Sequence, residues 1–237
     1  MVFRSRSIRI ALPALLLAAA APFLHSVEVQ SHGLWFEHWL CDTFFGGYRA
    51  QGYTQKWDIP ANVNLDHGGL PVNPKAIKYG TSIGFGDALR QFEIAEGGES
   101  FLLIVGFWEQ SGPASKTWVN VQAVKVTPVQ WRGLWHPVTR ADLEKLDRVI
   151  KDKTLTLEEA RRRAAAIKSA PPFSEAVMQV NPKIDSSQRR LQCSLGFAAF
   201  FDRLAAGASR ERQQQPALWG RTIPEVPNAP ARNATAP

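Results

Sequence analysis

Between Gly33 and Phe45 the apolar residues Leu34, Trp35, Phe36, Trp39, Leu40, Phe44 and Phe45 recur at helical spacing, and Gly46-Gly47 supplies the stop. The pattern then changes. Tyr53 to Ile59 and Pro71 to Tyr79 read as extended segments on either side of a turn-rich stretch from Pro60 to Gly69. Gly84 and Gly86 lead into a short helix carrying Ala88, Leu89 and Phe92. Phe101 to Trp108 is a nearly unbroken apolar run, as in a strand covered on both faces, and Trp118 to Val126 alternates as a second strand.

Beyond Val126 the chain changes character. Thr139 with Asp142 caps a helix over Leu143 to Ile150, and Thr156 with Glu159 caps another that runs through Arg161, Arg162 and Arg163 to about Lys168. Pro171-Pro172 ends it. Phe173 to Val180 fits helix or strand, and Leu195 to Leu204 reads as a final amphipathic helix. The order predicts an α/β or α+β domain over residues 28–204, with a mixed central sheet flanked by helices and a C-terminal helical annex. Residues 205–237, rich in Pro, Gln, Ala and Arg, read as a disordered tail.

The start of the chain has the form of an export signal. Arg4, Arg6 and Arg9 precede the apolar run Ile10 to Ala21, and the small residues Ala18 to Ala21 offer cleavage points. The run falls short of the roughly twenty residues of a membrane span, so residues 1–21 predict a cleaved leader and no stable membrane insertion. A genuine signal makes the protein periplasmic or secreted. Initiation near Val27 would keep it cytoplasmic. In an oxidising compartment Cys41 and Cys193 could pair.

Composition narrows the classes. The 237 residues are 45% hydrophobic and 21% charged, enough for one sizeable domain and incompatible with wholesale disorder. Two cysteines exclude a disulfide-dense scaffold and a four-cysteine zinc site. The five histidines, His25, His32, His38, His67 and His136, show no metal-ligating spacing, and no G-x-S-x-G elbow or complete phosphate-binding loop is present. Gly84-Phe85-Gly86-Asp87 reads as a tight turn with Asp87 as helix cap. The net charge of +7 invites an anionic partner. Three of those charges sit in the leader-like segment and two net charges follow Leu204, which leaves only +2 for the domain. Bulk charge therefore does not argue for a nucleic-acid partner.

Specific residues argue for one. Asp58 ends an extended segment, and Lys75 lies on the next with Asn73 two positions before it, on the same face of a strand. Glu37 on the first helix adds a carboxylate, and Asp87 offers another. Carboxylates that hold Mg²⁺ beside a lysine that places water are what metal-dependent phosphodiester hydrolysis requires. From Gly33 to Val126 the chain resembles the PD-(D/E)XK nuclease superfamily, which includes many restriction endonucleases. The resemblance implies a restriction-endonuclease-like core, a Mg²⁺ cofactor and a DNA substrate. It makes Asp58 the metal-binding acid of the motif, Lys75 its lysine, Glu37 the acid of the first helix and Asn73 the position where the family usually carries Asp or Glu. Pro74 is a second departure, compatible with an edge strand or a bulge. Gln188, Arg189, Arg190 and Gln192 are the candidate DNA contacts, because Arg reads guanine and Gln reads adenine.

The alternative is an exported, non-enzymatic α/β protein that binds through Trp108, Trp118, Trp131 and Trp135. The tetrapeptide Val72-Asn73-Pro74-Lys75 also recurs as Val180-Asn181-Pro182-Lys183, an echo too short to signal a repeat architecture.

Overall fold

The computed structural model describes residues 24–50, 56–112 and 115–226. The leader-like segment 1–21, the first part of the expected strand before Ile59 and the end of the tail lie outside them. The first helix, α1 (Leu24–Phe44), ends where Gly46 and Gly47 take positive φ and the Gly47 N–H donates back to the Cys41 carbonyl at 2.9 Å. Residues 56–58 are irregular, and only Ile59 pairs, antiparallel to Val72. Among the described residues 56–59, the expected strand is a single bridge.

Two three-stranded sheets follow. The first holds β1 (Val72–Lys78), β3 (Phe101–Gly112) and β4 (Ser115–Val126) in the order β1-β3-β4. β1 runs parallel to β3, and β4 antiparallel to it, so this is the mixed sheet of an α/β fold. The second holds β2 (Ile83–Asp87), β5 (Met178–Ile184) and β6 (Arg189–Leu195) in the order β2-β6-β5, all antiparallel. β2 is a strand that the sequence hid. Its two glycines dilute the pattern, and a bulge between Gly84 and Gly86 breaks its register with β6. β1 and β5 are edge strands, which is where Pro74 and Pro182 are tolerated.

The helices begin as their caps dictate. In α2 (Ala88–Gly97) the Asp87 carboxylate accepts from the Arg90 N–H at 2.9 Å. α3 (Pro128–Trp135), absent from the sequence expectation, opens on a Thr127/Gln130 capping box with proline at its first turn. Thr139 and Asp142 form the box of α4 (Arg140–Lys151), and Thr156 caps α5 (Leu157–Lys168). Phe173 to Val180 resolves into turns and the start of β5. The last helix is α6 (Phe197–Arg203), shorter than expected because Leu195 belongs to β6.

The mixed sheet separates two apolar clusters. On one face Phe36, Leu40, Cys41 and Phe45 of α1 pack with Val72, Leu102, Ile104 and Trp118. On the other, Leu103, Val105 and Phe107 meet α2 to α6 and the second sheet. Residues 205–226 depart from the disordered tail expected of them. They form the hairpin β7 (Ala217–Leu218) and β8 (Arg221–Thr222) and bury Leu218, Ile223 and Val226 in the α1 cluster. The fully buried Asn120 amide ties this strap down by donating to the Ser209 and Glu211 carbonyls at 3.0 and 2.8 Å. Cys41 and Cys193 are both free and buried, one in each cluster. Among the described residues no helix is long and apolar enough to cross a membrane.

Candidate active site

The site is built on the free edge of β1. Side chains alternate along this strand. Val72 and Ala76 pack with α1, while Asn73, Lys75 and Ile77 occupy the face in register with Leu103, Val105 and Phe107. The backbone alternates too. Val72 exchanges hydrogen bonds with Ile59 outside the sheet, at 2.8 and 3.2 Å, so the Pro74 carbonyl two residues on also points outward. Lys75 curls to this edge. Its ammonium donates to the Pro74 carbonyl at 2.8 Å and meets Asp58 Oδ2 at 3.4 Å. The bridge at Ile59 is what holds Asp58 there.

Glu37 on α1 lies within the field of Asp58 and Lys75. It follows Phe36, whose ring is fully buried against the sheet, and its own side chain is half-buried. Burial raises the Glu37 carboxyl above its usual range, and the Asp58 charge raises it further, while Lys75 and Arg49 pull it down. Two carboxylates and two cations from four separate segments thus act on one another. Cys41, one helical turn from Glu37, has its thiol pushed up to about 12 by burial first and by Glu37 next.

Asn73 is 5% exposed, and its Oδ1 has no hydrogen-bond partner. An orphaned buried acceptor is costly, by about 1–3 kcal/mol, unless something else satisfies it. Asn73 lies on the face of β1 away from α1, so the hard oxygen donors left for an ion are the Glu37 and Asp58 carboxylates, and Mg²⁺ keeps several waters and needs only one or two such groups. No group of three His, Cys, Asp or Glu side chains able to hold a metal occurs among the described residues. Asp87 is no third carboxylate, because it is spent on the cap of α2.

The candidate DNA contacts divide. Gln188 is locked into the β5–β6 turn, its side chain donating to Asp185 Oδ2 at 2.9 Å and its backbone N–H to Asp185 Oδ1 at 2.8 Å. The Arg189 guanidinium binds the Asp152 and Leu155 carbonyls and so fastens the α4–α5 loop. Both side chains are thus engaged within the protein. Arg190 and Gln192 sit on the outer face of β6, Arg190 exposed. Of the helix arginines, Arg161 donates to the Ile184 carbonyl at 2.8 Å and Arg163 pairs with Glu159.

The tryptophan surface does not form. Trp118, Trp131 and Trp135 are each 1% exposed, and Trp108 lies under the Lys116 ammonium at 4.5 Å. The exposed tryptophan is Trp219 in the strap, stacked on His67 at 3.6 Å. Comparison with protein-family models, with curated proteins and with solved structures finds no match.

Proposed function

We propose that the protein is a Mg²⁺-dependent DNA endonuclease of restriction-endonuclease-like type. The observation that carries this reading is that Asp58 and Lys75 meet at one strand edge within the field of Glu37, although 38 positions of chain separate Lys75 from Glu37. In this reading the Glu37 and Asp58 carboxylates would hold the ion. Bound there, Mg²⁺ would neutralise charge on the scissile phosphate and acidify a coordinated water. Lys75 directs the attacking water and offsets the negative charge that grows on the phosphate oxygens. Its tether to the Pro74 carbonyl and to Asp58 fixes the ammonium before substrate arrives, so little reorganisation is needed. The raised Glu37 carboxyl also fits the role, because two neighbouring carboxylates repel until a cation joins them. A binding protein built on tryptophans has little support with three of its four rings in the core.

The test is plasmid cleavage with Mg²⁺ or EDTA, using wild type beside Asp58→Ala and Lys75→Ala. Each substitution should lower the rate by about 10²- to 10⁴-fold. Undiminished cleavage in both variants, or none in the wild type, removes the proposal.

A further inference from the structure

On the outer face of the second sheet, Lys183 of β5 and Arg190 of β6 are direct cross-strand partners. Both side chains are exposed and point the same way, and among the described residues neither joins an ion pair. Like charges in this arrangement destabilise a sheet. The nearby carboxylates do not relieve them. Asp185 is consumed by the turn, where Ser187 and Gln188 hydrogen-bond it and hold its carboxyl well below the usual range, and Asp87 caps α2. Amides surround the two cations. Asn181 pairs with Gln192 one step along, and Gln179 with Ser194 beyond it. Asn181 is held in place by the Ser194 hydroxyl at 2.8 Å, and the Lys168 ammonium of α5 reaches it at 3.5 Å. At the turn, Lys151 and Lys153 line an open cleft of about 730 Å³ beside the hairpin.

We propose that the outer face of the β5–β6 hairpin is a docking ridge for the phosphate backbone of duplex DNA. An unrelieved cation pair calls for an anion. The Gln179 and Gln192 amides can donate to phosphate oxygens, which take half or more of protein–DNA hydrogen bonds, while the Asn181 amide donates within the hairpin. These positions carry no aromatic side chain, so the stacking platform that single strands use is missing. Gly84, opposite Ser194 on the neighbouring strand, adds no side chain. Toward the turn, where β2 no longer pairs with β6, residues 182–184 and 189–191 form a two-stranded ribbon narrow enough to enter the major groove. The choice of DNA as the polyanion rests on the nuclease reading.

The experiment measures binding of a short labelled duplex and its single strand by fluorescence anisotropy in EDTA, across a salt series, beside thermal melts. Wild type, Lys183→Glu, the double variant Lys183→Ala/Arg190→Ala and Asp58→Ala are compared. The ridge requires that wild type prefer duplex. The double variant should bind roughly an order of magnitude more weakly at low salt, with a salt slope shallower by about 2. Lys183→Glu should bind more weakly yet melt higher, because it turns a repulsive pair into an attractive one, and this opposite movement separates lost binding from misfolding. Equal duplex affinity across these variants, a preference for single strands, or no duplex binding by wild type overturns the ridge. The two proposals fail separately. Cleaving wild type with an unaffected Lys183→Glu sinks only the ridge, whereas hairpin-dependent binding without any cleavage sinks only the nuclease.

Discussion

The ring of Phe36 rests on the backbone of Gly106: a Cβ at that glycine would meet Phe36 Cε2 and Cζ at 2.8 Å and Trp118 Cζ3 at 2.7 Å. The absent side chain leaves room for the Phe36 ring against β3 and so helps to fix the packing of α1, the helix that carries Glu37. Gly106→Ala should cost about 1–3 kcal/mol in a urea titration, as overpacked cores do. It should also lower cleavage while leaving the circular dichroism spectrum intact. Wild-type stability in this variant would show that α1 can ride higher without strain.

Glu37 makes stability depend on pH with a definite sign. Its folded carboxyl titrates above the ordinary value of 4.5, chiefly through burial. The stabilisation it gives is fully present below that value and is lost as pH rises through the raised folded one. Glu37→Gln should therefore melt higher than wild type at pH 7 in EDTA, and the gap should close by about pH 4. Added Mg²⁺ should stabilise wild type and leave the variant unmoved. A gap that persists unchanged at acid pH would assign it to packing.

Asn73→Asp tests the amide directly. It buries a charge in place of a neutral acceptor, so in EDTA the variant should lose about 1–3 kcal/mol. Mg²⁺ should not return that loss, because Asn73 lies on the face of β1 away from Glu37. Recovery on adding Mg²⁺ would bring Asn73 into the site.

The strap offers another check. Trp219 stacks on His67 at 4° between planes, meets Phe44 edge-on and adopts φ +47. Trp219→Ala should lose about 1–2 kcal/mol of aromatic contact. Trp219→Gly should lose less, because glycine takes a positive φ without the roughly 1 kcal/mol that alanine suffers. The reverse order in urea melts would mean that the backbone there relaxes.

Neither thiol should react with Ellman's reagent in the native protein. Both are buried, and burial raises Cys41 to about 12 and Cys193 higher still. Denaturant should release two thiols per chain. Prompt native reaction would show that one of the clusters opens.

What the sequence made legible was local. Thr139 and Thr156 announced their helices, Gly46-Gly47 ended the first, and the unbroken run from Phe101 marked the central strand. The face shared by Asn73 and Lys75 followed from strand period alone. Other elements were written in weaker terms. Gly84 and Gly86 bear no side chains to show alternation, so β2 looked like a turn. In α3 the tryptophans Trp131 and Trp135 drew the eye as a surface, although the Thr127-Pro128 start fits a helix cap. The strap carries only Leu218, Ile223 and Val226 as anchors among polar residues, and their partners lie in α1 and β4, far away in sequence. Gln188 and Arg189 looked like recognition residues because composition cannot show that an Asx turn and two loop carbonyls have claimed them.

The Asn-Pro-Lys steps of β1 and β5 have one more consequence. Each lies midway along an edge strand, and at Pro74 the missing N–H is on the outward side that Val72 uses toward Ile59. A foreign strand approaching either edge would find its ladder of donors interrupted at the centre. With three strands in each sheet, the protein has little interior to spare and four borders to guard. The prolines make two of them, β1 and β5, poor seeds for fibrous assembly.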